Sequence, residues 1–176
     1  MNVPVDAVRV GLAAFLLATA LLKLLVRTDL VAAAARLGVP RTWLLGRRGQ
    51  TLRPGLITME LLLAAGLVLP ATARTAAAVA AVMFVGFAGL LARAVRRGEI
   101  GDCGCFGTTG RIGWPAVVRN AIAGGAGLAV ALLGVAPQPS SVRIVIMIVA
   151  TVAVATAVVA AVQVRAKREF HRTTAV

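Results

Sequence analysis

Five apolar stretches, each close to the roughly 20 residues that a helix needs to cross a bilayer, dominate this chain and leave little else to fold. They run approximately over 8–26, 56–73, 75–92, 116–135 and 142–164. In hydrocarbon each backbone N–H and C=O must find its partner within the segment or in a closed barrel, and runs of this length select helices. The expected fold is all-α: a polytopic membrane helical bundle of about five transmembrane helices, a four-helix core plus a C-terminal helix. One integral membrane domain, 1–176, is expected to end in a basic tail at 165–176. Pro70 and Arg74 leave only a short connection between the second and third spans, which reads as a tight helical hairpin. Ala18-Thr19-Ala20 has the small-residue pattern of a signal-peptidase site. The apolar run nevertheless continues to Val26 behind a single Arg9, so the first span is expected to remain as a helix.

Between the first two spans, residues 28–53 interleave Leu30, Val31, Ala34, Leu37 and Trp43-Leu44-Leu45 with Arg36, Arg41, Arg47 and Arg48. That alternation predicts an amphipathic interfacial segment. Charged residues are only 14% of the chain and hydrophobic ones 60%, against roughly 25% charged in a soluble domain. Lys and Arg outnumber Asp and Glu by 19 to 6. Because the basic residues lie between apolar spans and not on one globular face, they point to anionic membrane lipids and not to nucleic acid.

Five crossings place the first long loop, the loop at 93–115 and the C-terminal tail on one side. The N-terminus and the two short connections lie on the other. The first side carries Arg27, Arg36, Arg41, Arg47, Arg48, Arg53, Arg93, Arg96, Arg97, Arg111 and the basic tail, the second only Arg9, Arg74 and Arg143. By the positive-inside rule the first side is cytoplasmic, in a multi-pass plasma-membrane protein.

That side also carries the only two cysteines, in Gly101-Asp102-Cys103-Gly104-Cys105-Phe106-Gly107. Gly101, Gly104 and Gly107 let the backbone bend so that both sulfurs can converge. Arg97 and Arg111 favour the thiolate, the form that attacks disulfides and binds soft metals, while Asp102 opposes it. Several polar residues sit at the same depth in the spans: Lys23 near the end of the first, Glu60 about one turn into the second, and Arg119 with Asn120 about one turn into the fourth. They lie on the order of 5–8 Å inside the boundary, where charge is costly unless it is paired. Glu60 is expected to face the interior with Lys23 or Arg119 as partner, whereas the two cations could also reach the headgroups along their own stems. Trp43 and Trp114 read as an aromatic belt, and Gly124, Gly125 and Gly127 as a close-packing surface in the fourth span.

Cys103-Gly104-Cys105-Phe106-Gly107, followed by Trp114 and Arg119-Asn120, resembles the methylamine utilisation MauE family. Lys23, Leu37-Gly38-Val39-Pro40 and Glu60 are similar to the pattern of that family and of the wider DoxX-like membrane proteins. The resemblance covers the chain to about Val135. It implies a small helical bundle associated with redox or disulfide handling, in the maturation of a dehydrogenase with a thioredoxin-like partner. Helix number and cysteines ahead of the fourth helix are also similar to vitamin K epoxide reductase-like proteins. Those carry Cys-x-x-Cys and a second pair in the first loop, where this chain has no cysteine.

Three functions fit the residues. In the first, Cys103 and Cys105 are the catalytic pair of a thiol–disulfide exchange protein, with Lys23, Glu60, Arg119 and Asn120 as a supporting polar cluster. Its electron partner would be a thioredoxin-like protein or a lipid quinone near Lys23, Glu60 and Arg119. In the second, the two thiolates deliver a soft metal completed by another protein, since no resident metal site is encoded and His171 stands alone in the tail. In the third, the chain is a noncatalytic membrane assembly factor.

Overall fold

A computed structural model describes residues 3–25, 29–101, 111–133, 148–157 and 159–161. Cys103, Gly104, Cys105 and Gly107, together with the tail at 165–176, lie outside the described residues. Among the described residues six helices precede residue 134: α1 (Val3–Leu25), α2 (Leu30–Arg36), α3 (Arg41–Leu44), α4 (Arg47–Val68), α5 (Pro70–Arg96) and α6 (Trp114–Leu133). A shorter apolar helix, α7 (Ile148–Ala161), follows. Among the described residues four helices, α1, α4, α5 and α6, are long and apolar enough to cross a membrane. The chain is an all-helical, multi-pass membrane protein with a four-helix core and a C-terminal helix.

Helix boundaries follow local chemistry. Leu69 alone separates α4 from α5, with Pro70 in the first turn of α5, where its missing N–H costs nothing. The hairpin is thus tighter than expected and turns a few residues earlier. At its other end α5 continues through Arg93 to Arg96, giving 27 residues or about 40 Å of helix. This exceeds the roughly 30 Å of hydrocarbon, so the helix either tilts or carries its arginine-bearing tip past it. α4 begins at Arg47 and runs through Pro54, nine residues ahead of the expected start at 56. Proline breaks only its own hydrogen bond and crowds one preceding carbonyl, and a polar first turns-length of helix can lie outside the hydrocarbon.

Small residues set the packing. α5 buries Ala73, Ala76, Ala77, Ala80, Ala81 and Phe84, and α6 buries Ala116, Asn120, Ala123, Gly124, Gly127, Val130 and Ala131. Alternating steps of three and four along α6 mark one helical stripe. A Cβ on Gly127 would lie 2.9 Å from the Ala77 carbonyl oxygen and 3.1 Å from the Ala81 nitrogen, so backbone meets backbone there. Gly125, expected to share this surface, points away and has nothing within 4 Å. α7 packs on α1, with Ala155 and Val159 against Ala18 and Leu22.

The amphipathic stretch divides between α2, α3 and the start of α4. Asp29 caps α2 by accepting from the Ala32 N–H at 3.0 Å. α2 ends in a Schellman motif, with Gly38 N–H on Ala35 O and Val39 N–H on Ala34 O, both at 3.0 Å. Gly38 takes φ +90°, a conformation that side chains disfavour. Leu30, Ala33 and Leu37 turn onto the bundle and are buried, while Trp43 and Leu45 point outward. The apolar face of α2 therefore covers protein and not lipid.

Candidate functional site

Beneath α2 the helices enclose a cavity of about 240 Å³. α1 supplies Phe15, Thr19 and Lys23, α4 supplies Leu52, Leu56 and Glu60, α5 supplies Met83, Phe84, Phe87 and Leu90, and α6 supplies Asn120. Leu30, Ala33, Ala34, Leu37 and Val39 form the roof. Phe15 and Phe84 meet with ring centroids 5.6 Å apart and planes tilted by 59°.

One end of this cavity is polar. Lys23 Nζ donates to Glu60 Oε1 at 2.8 Å and Oε2 at 3.0 Å, and both residues are buried. Of the two candidate cations for Glu60, the structure selects Lys23. Its stem does not run out to the headgroups; its ammonium is also 3.5 Å from the Thr19 carbonyl oxygen, one turn back in α1. Arg53, from the polar start of α4, donates to the Lys23 carbonyl. Two charges at this depth are tolerable because each supplies the other's partner, and separating them would leave an uncompensated ion in a medium that solvates it poorly. Asn120 is buried beside the pair and donates from Nδ2 to Ala116 O at 2.8 Å.

Arg119 does not join this group. Neighbours on a helix project about 100° apart, and Arg119 faces a separate groove with Ile100, Gly101, Arg111, Ile112 and Gly113. The expected four-residue cluster thus divides into Lys23, Glu60 and Asn120 at the cavity and Arg119 beside the base of the cysteine loop.

That base is a defined neck. Ile112 N–H donates to Gly101 O at 2.8 Å, joining the two ends of the segment that carries both cysteines. Gly101 has φ +141°, and a Cβ there would lie 2.8 Å from the Arg36 guanidinium. Arg97 reaches the other way, donating to Arg36 O at 3.3 Å with its guanidinium 2.8 Å from where a Gly38 Cβ would stand. The two arginines thereby cross-tie α2 to the neck. Leu37, Leu91, Ala94 and Ala116 form a small buried cluster at this junction, with Ile112 packed against it.

Two arginines at the opposite end of the bundle escaped the sequence reading as anything but charge. Arg9, only 1% exposed, donates to Leu67 O at 2.8 Å and Val68 O at 3.3 Å and pairs with Asp6 at 3.0 Å. Arg74 Nε donates to Ala131 O at 2.8 Å. Each neutralises the C-terminal carbonyls of a neighbouring helix, α4 or α6, that lack intrahelical donors. Arg9→Met is expected to lower stability by roughly 3 kcal/mol, since it strips charge-assisted bonds from buried carbonyls; denaturant titration in micelles measures this. A loss below 1 kcal/mol would show that water replaces the guanidinium.

No curated protein and no solved structure matches the chain. Residues 1–133 match the family model described as methylamine utilisation protein MauE. The match spans α1 to α6 and so includes the cavity, the Lys23–Glu60 pair and the loop neck, and ends before α7. The chain is a membrane-embedded member of the MauE family.

Proposed function

We propose that this protein carries out thiol–disulfide exchange at the plasma membrane, with Cys103 and Cys105 as the reacting pair and a thioredoxin-like protein as partner. The supporting observation is the neck: the only two cysteines of the chain lie in the segment joined at Gly101 and Ile112, with Arg36, Arg97 and Arg111 at its base. Cations there favour thiolate over thiol.

In the exchange, one thiolate attacks a disulfide of the partner. A new S–S bond forms, the partner's S–S bond breaks, and the departing partner thiolate takes up a proton. The second cysteine, as thiolate, attacks the mixed disulfide. The partner leaves as a dithiol, reduced by two electrons, and Cys103 and Cys105 are left as a disulfide. Only Gly104 separates the two, so that disulfide closes a small ring and is readily reduced again by a second dithiol.

Sidedness belongs to the same reading. Arg9, one of the few basic residues on the sparsely charged side, is buried with its guanidinium on backbone carbonyls of α4. The asymmetry that remains favours a cytoplasmic cysteine loop and C-terminal tail.

Acid trapping of intact cells, followed by mass-tag alkylation with permeant and impermeant reagents, tests both parts. A partly oxidised, reductant-sensitive pair labelled only by the permeant reagent is the expected result. Thiols that stay fully reduced and freely reactive would leave a noncatalytic assembly role. Thiols that react only after metal chelation would replace exchange by soft-metal delivery, and impermeant labelling would reverse the orientation.

A further inference from the structure

In the exchange of Cys103 and Cys105 with a partner disulfide, no step uses the cavity roofed by α2. Its walls are apolar except where Lys23, Glu60, Thr19 and Asn120 reach it. Lys23 and Glu60 are paired at 2.8 Å, so the charges lining the cavity sum to zero. Asn120 is 4% exposed and, among the described residues, its side chain makes a single hydrogen bond, from Nδ2 to Ala116 O. A carboxamide offers two N–H donors and an accepting oxygen. One N–H and the oxygen therefore remain for an occupant of the cavity that Asn120 lines.

We propose that this cavity binds a neutral, membrane-soluble ring compound bearing carbonyl oxygens, the chemical class of the quinones, with a carbonyl accepting from Asn120. A dry cavity of roughly 150 Å³ already holds benzene, and about 240 Å³ holds a substituted or fused ring. Phe15 and Phe84 provide an aromatic wall. A fatty-acid carboxylate suits the site poorly, because Lys23 is already neutralised and a second anion would meet Glu60. Four of the lining elements are helices long and apolar enough to cross a membrane, which favours a ligand that partitions into the bilayer. The sequence allows a quinone as electron partner of the thiols, but its binding here follows from the cavity alone and does not rest on thiol exchange.

The test uses the full chain carrying Cys103→Ser and Cys105→Ser in lipid nanodiscs, which removes addition of thiols to quinone rings. Equilibrium dialysis against empty nanodiscs compares three probes: 2-methyl-1,4-naphthoquinone, its carbonyl-free counterpart 2-methylnaphthalene, and palmitate. The naphthoquinone should bind saturably and about tenfold more tightly than the naphthalene, the worth of one good hydrogen bond. Asn120→Leu should bring the two within about twofold of each other. Ala34→Phe and Met83→Trp, which fill the cavity from α2 and from α5, should each abolish saturable binding while circular dichroism and gel filtration match the parent.

Equal affinities for the two ring compounds, an unchanged ratio in Asn120→Leu, or binding that survives both filling variants would overturn the proposal. So would tighter binding of palmitate, or no saturable binding at all, which would mean a cavity filled by water. With the cysteines absent, none of these outcomes bears on the thiol reading, and the alkylation result does not bear on this one.

Discussion

Replacing Glu60 by Leu is expected to destabilise the protein by about 3–5 kcal/mol, the usual cost of removing one partner from a buried ion pair. The ammonium of Lys23 is held by both carboxylate oxygens, and the two side chains are 1% and 7% exposed. Without Glu60 the ammonium keeps a long contact to the Thr19 carbonyl at 3.5 Å but loses the carboxylate that neutralises it. The double variant Lys23→Met/Glu60→Leu should recover most of the loss, because an apolar pair of similar volume avoids the desolvation that the ions undergo. A double-mutant cycle read by reversible denaturation in bicelles supplies the numbers. A single-variant loss below 1 kcal/mol, or a double variant no better than either single, would show that the pair is not coupled as its geometry implies.

Gly127→Leu is expected to be comparably damaging, at about 3 kcal/mol or more, through an unrelated cause. The first atom of any side chain at 127 already falls within 3.2 Å of the Ala77 and Ala81 backbone and the Ala81 Cβ, so α5 and α6 must move apart to admit it. In lipid their association rests on close packing, since hydrocarbon outside is as apolar as the interface. Gly127→Ala should cost less. Gly125→Leu is the internal control: two residues away on the same helix, it faces open space and should change stability by no more than about 0.5 kcal/mol. Similar losses at 125 and 127, measured by the same denaturation, would mean that helix propensity and not interhelical contact is being read.

The contrast between Gly125 and Gly127 also shows where sequence reading stops. The spans were legible because length and apolarity alone define them, and the polar pair was legible because depth along each helix follows from the rise per residue. Lys23 and Glu60 could be put on one level without knowing any contact. Which face each helix turns inward was not legible, because lipid-facing and core-facing residues are equally apolar and the usual polar–apolar stripe vanishes. Gly124, Gly125 and Gly127 looked alike for that reason, and Arg119 was grouped with Asn120 although adjacent residues must diverge. The cavity needs four helices and α2 in register and leaves no trace in any one of them. Arg9 and Arg74 lie close to helix ends, but their acceptors are backbone carbonyls 58 and 57 residues away, which no side-chain pattern announces.

Those separations have a consequence for how the chain is made. In each of three contacts between helices the cation comes first: Arg9 precedes Leu67, Lys23 precedes Glu60 by 37 residues, and Arg74 precedes Ala131. At roughly 5–20 residues per second of synthesis, Arg9 exists for about 3–12 s before its acceptor has been translated. During that interval the nascent α1 carries Lys23 without its carboxylate, and Arg9, paired with Asp6, without its carbonyl acceptors. The final seat of α1 in the bilayer is therefore completed not at its own insertion but on the arrival of α4, which brings the partners of both cations.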